Sequence, residues 1–482
     1  MVNGTEFKTI PRKTPEHIDP KSRITNFEEI HHSGSIKHTE EQSSRCMDCG
    51  IPFCHTNYGC PLGNLIPEWN TLISQGKWKE AVERMLETDT FPEFTGKICP
   101  APCEGACTMG LYNNQPVTIQ EIELALAEKG FENGWIKACP PLTRNGKTIA
   151  IIGSGPAGLS AAFYLNRNGY SVKVFEKANR AGGLLTYGIP NYKLDKQKIV
   201  KRRIDLMMAE GIQFETGIEV GKDISPAYLK KQFDAVLIAT GAEKARDLPI
   251  PGRELKGVHF AMEFLSRQSM KLAGESLPDG IDITAKNKSV VIIGGGDTGS
   301  DCLGTSHRQG ATNIVQLELT PPPPKSRAED NPWPLWPLIY RTSSSHEEGG
   351  DRKFSVMTKE FFGESGQVKG IRCVKVNMIK ENGNVKFLEI PDTDFEIKAD
   401  LVLLAMGFTG PTKELPALLN LELDARQNIK VNKDMMTSVD GIFSAGDAAT
   451  GQSLVVRAIA SGRDAAQKIQ EYLNLKASKQ SI

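Results

Sequence analysis

KTIAIIGSGPAGLSA, residues 147–161, decides how this chain is to be read. Thr148–Ile152 is an unbroken apolar run of the kind buried on both faces of a parallel sheet. Gly153-Ser154-Gly155-Pro156-Ala157-Gly158 follows at once and opens a helical stretch. In such a G-x-G-x-x-G turn the first glycine allows the tight bend and the second lets backbone approach a pyrophosphate. The third permits close packing of helix on strand. The helix start then offers unpaired N–H groups to the anion. Glu176 closes the next apolar strand, SVKVFEK, 23 residues after Gly153, where an acid can hold ribose hydroxyls.

The pattern recurs 141 residues downstream, from Gly153 to Gly294, as KSVVIIGGGDTGSDC (288–302). Its turn is Gly294-Gly295-Gly296-Asp297-Thr298-Gly299, and FDAVLIATGA (233–242) is echoed by ADLVLLAMGF (399–408). Alternating buried strands and helices predict an α/β fold with doubly wound parallel sheets. The expected architecture is a helical N-terminal domain followed by two Rossmann-like dinucleotide-binding domains, the second inserted in the first. Expected boundaries are 1–145, 146–250, 251–410 and 411–482.

Two dinucleotide sites in one chain point to a flavin held permanently and a nicotinamide that exchanges. The stretch 443–469 indicates which is which: Asp447 ends a strand and is placed for the ribityl–phosphate linkage, while Leu454 and Val455 start a helix facing the isoalloxazine. Read alone, Asp447 is also an ordinary N-cap. Candidate FAD residues are Gly153, Gly155, Pro156, Ala157, Gly158, Glu176, Lys177, Gly183, Leu184, Lys193, Gly446, Asp447, Ser453, Leu454 and Val455. The split arrangement is similar to the pyridine-nucleotide disulfide reductases. However, NRAGGLLTYGIP lacks the C-x-x-x-x-C redox pair, so electrons must leave by another route.

Cysteine chemistry supplies that route. Of 482 residues ten are cysteine, and eight of those precede residue 140. Cys46, Cys49, Cys54 and Cys60 form one group; Cys99, Cys103 and Cys107 form another. Iron–sulfur cubanes take four thiolates, often from a close run with a following proline. Zinc ribbons use C-x-x-C pairs too, but a two-electron hydride acceptor beside them favours one-electron carriers. Cys139, Cys302 and Cys373 are isolated and are expected to be buried small hydrophobes.

RCMDCGIPFC, GCPLGNLIPEWN, FPEFTGKICPAPCEGAC, GGLLTYGIP and SAGDAATGQSLVVRAI resemble the small (beta) subunit family of glutamate synthases, over nearly the whole chain. A similar module opens dihydropyrimidine dehydrogenase. The resemblance implies FAD and two [4Fe-4S] clusters, one on Cys46, Cys49, Cys54 and Cys107. The other would take Cys60, Cys99 and Cys103, with Glu123 in place of an eighth thiolate. It also implies electron transfer from NAD(P)H to a glutamate synthase large (alpha) subunit that makes two glutamates from glutamine and 2-oxoglutarate. A ferredoxin or a pyrimidine-reducing partner is the alternative outlet.

For the nicotinamide, candidate residues are Gly294, Gly295, Gly296, Asp297, Thr298 and Glu318. NADPH-using relatives place arginines after this strand; here Glu318 precedes Leu319 and Thr320. An acid favours a free 2′-hydroxyl and repels a phosphate, so NADH is expected, although Lys325 and Arg327 on the next loop are within swing. TPPPPKSRAEDNPWPLWP (320–337) excludes regular structure, and its tryptophans are expected to pack that loop down.

Composition narrows the rest. Lys+Arg and Asp+Glu both total 58, and no basic run offers a phosphate-backbone footprint, so nucleic acid is not expected. No apolar leader or span of about 18 residues is present, so the expected address is the cytoplasm, away from membranes. Residues 1–45 are polar and read as an extended arm. PEWNTLISQGKWKEAVERMLET reads as helix with Trp78, Ala81, Val82, Met85 and Leu86 on one face, and VTIQEIELALAEKG as a helix ending at Gly130.

Overall fold

The computed structural model describes residues 6–15, 18–31, 34–381 and 384–480. Strands β1 (Thr148–Ile152), β2 (Ser171–Glu176), β3 (Gln213–Thr216) and β4 (Ala235–Ile238) build the first sheet. Strands β5 (Val258–Phe260), β6 (Ser289–Ile293), β7 (Asn313–Glu318) and β8 (Asp351–Phe354) belong to the second. β9 (Val356–Glu364), β10 (Gln367–Glu381), β11 (Asn384–Glu389) and β12 (Phe395–Lys398) follow. β13 (Leu401–Leu404) returns to the second sheet and β14 (Ile442–Ser444) to the first.

Both sheets are parallel and five-stranded, in the orders β14-β4-β1-β2-β3 and β5-β13-β6-β7-β8. Their centres are the two apolar runs of the repeat. Ile149 pairs with Val172 on one side and Ala235 on the other; Val290 pairs with Ile314 and Leu401. Burial on both faces explains why these strands are uniformly apolar rather than alternating. Helices Pro156–Arg167 and Asp297–Arg308 leave the central strands, and the long helix Val455–Gln480 packs beside the first of them.

The antiparallel unit formed by β9 to β12 was not foreseen. β10 is 15 residues long and pairs with β9, β11 and β12. Its inner positions Val368, Ile371, Cys373, Val374 and Val376 are buried, an alternation that the repeat-based reading passed over.

The N-terminal domain is helical, with a core around Trp69, Phe91 and Phe94. Its expected single helix is two, Ile66–Ser74 and Trp78–Leu86, separated at Gly76, whose φ is +72°. The later helix, Ile119–Glu132, runs two residues past Gly130. The described residues 6–15, 18–31 and 34–45 are not an extended arm: they contain helices Glu6–Thr9, Pro20–Arg23 and Ile36–Ser43, the last two capped by Asp19 and Ser35, while 1–5, 16–17 and 32–33 lie outside the described residues. Arg23 and Arg45 in this segment are buried. Cys302 and Cys373 are buried, but Cys139 is exposed in the linker, contrary to expectation, because no element packs over it. Among the described residues no helix is long and apolar enough to cross a membrane.

Candidate functional site

At the first glycine turn φ of Gly153 is +101°, and a Cβ there would lie 2.5 Å from the Ala239 carbonyl oxygen. A Cβ at Gly158 would meet the Gly153 carbonyl oxygen at 2.1 Å, so helix and strand approach as closely as backbone allows. Glu176 folds back on this turn. Its Oε2 accepts from the Ser154 N–H at 3.1 Å and from the Ser154 hydroxyl, and its Oε1 accepts from the Ala178 N–H at 2.9 Å.

A cavity of about 440 Å³ opens over the turn. It is lined by Gly153, Gly155, Pro156, Ala157, Glu176, Lys177, Gly183, Leu184 and Asp447, and by Met262, Ser266 and Met270 from helix Ala261–Leu272. Gly446 (φ +64°) brings its chain against Ala157, and Asp447 Oδ1 accepts from the Ser453 hydroxyl at 2.9 Å. Burial pushes the Asp447 carboxyl up. Leu454 and Val455 sit at the start of the long helix, packed against the main core. Lys193 stands away from the cavity lining: half-buried, it donates to Asp301 Oδ1 at 2.5 Å.

The second turn repeats the geometry. Gly294 has φ +127°, and its Cβ would fall 2.2 Å from the Ala405 carbonyl oxygen. Gln316 Nε2 donates to the Gly294 carbonyl at 2.8 Å. Gly296 and Asp297 are exposed, and Thr298 is half-buried. Glu318 lies over Gly295, whose Cβ would be 2.0 Å from the Glu318 carboxyl carbon. Glu318 Oε1 accepts from Arg352 Nη2 at 2.8 Å, and the Arg352 guanidinium lies against the adjoining rings of Tyr340 and Phe354 at 4.9 and 5.0 Å from their centroids.

Arg352 was missed because it arrives from β8, 34 residues after Glu318; the parallel register Gln316↔Arg352 is the feature that places it. Arg327 is engaged elsewhere: its Nη2 donates to the Gly105 carbonyl at 2.9 Å and its Nη1 to Leu335 at 2.6 Å. Trp333 packs on Phe53, ring centroids 4.6 Å apart, and the Trp336–Pro337 pair covers Gly105. The proline-rich loop thus joins the second sheet to the cysteine domain.

Around the cysteines, two small voids take four donors each. Cys46, Cys49, Cys54 and Cys107 line one; Cys60, Cys99, Cys103 and Glu123 line the other. The loops are held tightly: Cys60 N–H donates to the Cys54 carbonyl at 2.8 Å, and a Cβ at Gly59 would lie 2.2 Å from that oxygen. All seven thiols are free. Burial raises the Cys46 and Cys60 thiols to about 12 and holds those of Cys54, Cys99 and Cys103 well above the ordinary thiol value, while burial and neighbouring Asp89 raise Glu123. A protein does not bury so many latent anions without a cation to meet them. The chemistry of the donors, seven sulfurs and one carboxylate around two voids, fits iron–sulfur clusters. Asn64 Nδ2 bridges Asp89 at 3.2 Å and Glu123 at 3.4 Å, which fixes Glu123 toward its void.

A protein-family model described as pyridine nucleotide-disulphide oxidoreductase matches residues 147–462. A second, described as dihydropyrimidine dehydrogenase domain II, 4Fe-4S cluster, matches residues 23–135. The "Glutamate synthase [NADPH] small chain" of Mycobacterium tuberculosis is 50% identical over 474 residues, covering 98% of this chain and 96% of that one. The Bacillus subtilis protein of that name is 45% identical, covering 98% and 99%. The "Glutamate synthase [NADH]" of Schizosaccharomyces pombe is 49% identical over 96% of this chain but 22% of its own length. Among solved structures, FprA from Mycobacterium tuberculosis matches 69% of this chain and 86% of its own with TM-score 0.56 and 17% identity, a likeness of fold. By its two glycine turns, its cysteine voids and these relatives, the chain belongs to the glutamate synthase small-chain family, on a pyridine nucleotide-disulphide oxidoreductase scaffold.

Proposed function

We propose that the chain is the electron-input subunit of a cytoplasmic glutamate synthase. It oxidises a nicotinamide coenzyme and delivers electrons to a large subunit that forms two glutamates from glutamine and 2-oxoglutarate. FAD, when bound, accepts hydride, and iron–sulfur clusters release the pair as single electrons. The observation that carries the reading is one chain holding both a deep flavin-sized cavity and two four-donor voids.

In this assignment residues 146–250 and 411–482 hold FAD, 251–410 the coenzyme, and 1–145 the clusters. Glu176 binds the adenosine ribose of FAD, and Asp447 orients the ribityl–phosphate side. Cys46, Cys49, Cys54 and Cys107 ligate one [4Fe-4S] cluster; Cys60, Cys99, Cys103 and Glu123 ligate the other. Val456, which follows Val455, lines the second void, and this supports reading that set as the one nearer the flavin.

The coenzyme is NADH. Glu318 stands over Gly295, where an adenosine ribose lies in such folds, and it pairs with Arg352. A 2′-phosphate would have to displace the carboxylate and take Arg352 from it.

The test is anaerobic coenzyme oxidation by the chain together with its large subunit. A strict requirement for glutamine and 2-oxoglutarate together supports the assignment, and faster NADH than NADPH oxidation supports the Glu318 argument. Oxidation indifferent to both substrates but driven by ferredoxin or a pyrimidine assigns another outlet.

A further inference from the structure

Residues 18–31 cross three parts of the molecule. Glu29 accepts from Lys97 Nζ of the cysteine domain at 2.9 Å and from the Asp195 N–H of the flavin half at 2.8 Å. Ile30 N–H donates to the Tyr192 carbonyl, and Asn191 Nδ2 donates to the Phe27 carbonyl, both at 3.0 Å. At the other end Arg23, 3% exposed, enters the nicotinamide half. Its Nε donates to Glu348 Oε1 at 2.7 Å, and its Nη2 donates to Glu347 Oε2 at 3.0 Å and to the Ser344 carbonyl.

Glu348 also receives both Nη atoms of Arg308, and the Arg308 guanidinium lies 3.7 Å from the centroid of the Tyr192 ring. Tyr192 belongs to the flavin half. Its hydroxyl contacts Ser345 and donates to the Asp301 carbonyl, while Lys193 donates to the Asp301 carboxylate. A Cβ at Gly304 would lie 2.3 Å from that hydroxyl. The helix that starts at the second glycine turn therefore rests directly on the Tyr192–Lys193 turn.

A dry pair of arginines on one carboxylate repays its desolvation only when geometry is held closely. Here that geometry joins the arm, the nicotinamide half and the flavin half. The two sheets are also joined by the crossings 239–257 and 405–441 and by Glu275, which pairs with Arg180 and accepts from the Tyr187 hydroxyl at 3.0 Å; two chain crossings are a connection of the kind that permits hinge rotation. Hydride transfer needs its reacting atoms about 3–3.5 Å apart, so the angle between the sheets is a catalytic variable.

We infer that residues 18–31 are a strap holding the nicotinamide half in the orientation from which hydride reaches the flavin, with Arg23 as its positioning residue. This rests on the coenzyme-oxidising reading but not on the identity of the electron outlet.

The experiment mixes the full chain, carrying FAD and its clusters, with saturating NADH in an anaerobic stopped-flow instrument. Arg23→Met lowers the limiting rate of flavin bleaching by about tenfold or more, since a misplacement near 1 Å can cost about a hundredfold. The NADH Kd changes by less than about twofold, and Arg23→Lys recovers part of the rate. In the coenzyme-free protein, hydrogen exchange rises at Ile30 and Ser344–Glu348 while the central strands β1 and β6 are unchanged. A wild-type limiting rate in Arg23→Met overturns the inference, as does a rate loss that merely tracks lost FAD and lost NADH affinity. Should Arg23→Met not fold, Glu347→Gln takes its place, because that carboxylate is half-exposed. A limiting rate lower by about threefold then supports the strap and an unchanged rate overturns it. Failure of the wild-type flavin to bleach with either coenzyme overturns the coenzyme-oxidising reading itself.

Discussion

The two glycine turns are nearly the same object built twice, yet they are finished differently. Each bends through a glycine at strongly positive φ, and each brings its helix so near that an added Cβ would lie 2.1 Å (Gly158) or 2.3 Å (Gly299) from the turn's own carbonyl oxygen. Around the first, Glu176 is locked to the turn, and the 445–458 segment and helix Ala261–Leu272 wall a deep cavity. Around the second, Gly296 and Asp297 face solvent and the acid at the strand end pairs with an arginine. A glycine turn makes phosphate binding possible; how long a nucleotide stays, and which one is chosen, is set by what other elements bring over it.

The largest break in the symmetry is expected at the first turn. Gly153→Val forces a β-branched side chain into φ +101° and onto the Ala239 carbonyl. The strain and overpacking cost about 3 kcal/mol or more, and flavin content of the purified protein, read by absorbance, falls to near zero. Gly294→Val is the mirror test: it strains the second sheet, so coenzyme binding is lost while flavin is retained if the two sites are independent.

A smaller effect separates the cysteine sets. Cys54→Ser and Cys103→Ser each lower iron and sulfide by about half, because a four-ligand cluster loses one soft thiolate. Glu123→Gln keeps an oxygen at the same place and retains most of the iron. Loss of nearly all iron from either cysteine variant alone would contradict the two-void partition, and a Glu123→Gln loss equal to that of Cys103→Ser would contradict retention of the oxygen donor.

Smaller again is coenzyme choice. Glu318→Gln removes the charge facing a 2′-phosphate and frees Arg352. The ratio of kcat/KM for NADPH over NADH rises about tenfold, equivalent to about 1.4 kcal/mol. An unchanged ratio would remove Glu318 from the specificity argument.

The smallest effect is pH-dependent and confined to the second sheet. Burial holds the His346 imidazole down at about 4 from the usual 6.5, with Arg352 and Lys193 adding to it. Its Nε2 meets Gln316 Oε1 at 2.7 Å, and Gln316 supports Gly294. The unfolded chain takes up a proton near pH 6.5 that the folded chain refuses until about pH 4. Stability is therefore full above that window and is lost as pH falls through it. Wild-type Tm declines from pH 6.5 toward 4, and His346→Gln shows a flatter slope.

Much of this was legible before any coordinates. TIAII and SVVII are apolar on both faces, and only a covered parallel strand asks for that, so both sheet centres were readable. The antiparallel unit of β9 to β12 was not, because register shifts between Val368 and Gly370 and between Arg372 and Cys373 interrupt the alternation of its longest strand. Cys139 was misplaced in the core because burial of a lone cysteine depends on neighbours that its own sequence does not name. The polar arm was misjudged for the same reason: what buries Arg23 and Arg45 comes from distant segments, such as Glu348 and the Pro116 carbonyl.

The sequence by itself determined where backbone had to bend, which strands had to be covered, and that seven crowded cysteines in a chain with two nucleotide turns meant redox chemistry. Those properties are local, settled by glycine's freedom and by side-chain period. Tertiary structure alone decided that Arg352 reaches Glu318 and that Arg23 meets Glu348, 325 residues away. Such pairings depend on how the chain closes its long loops, and spacing along the chain carries no record of that closure.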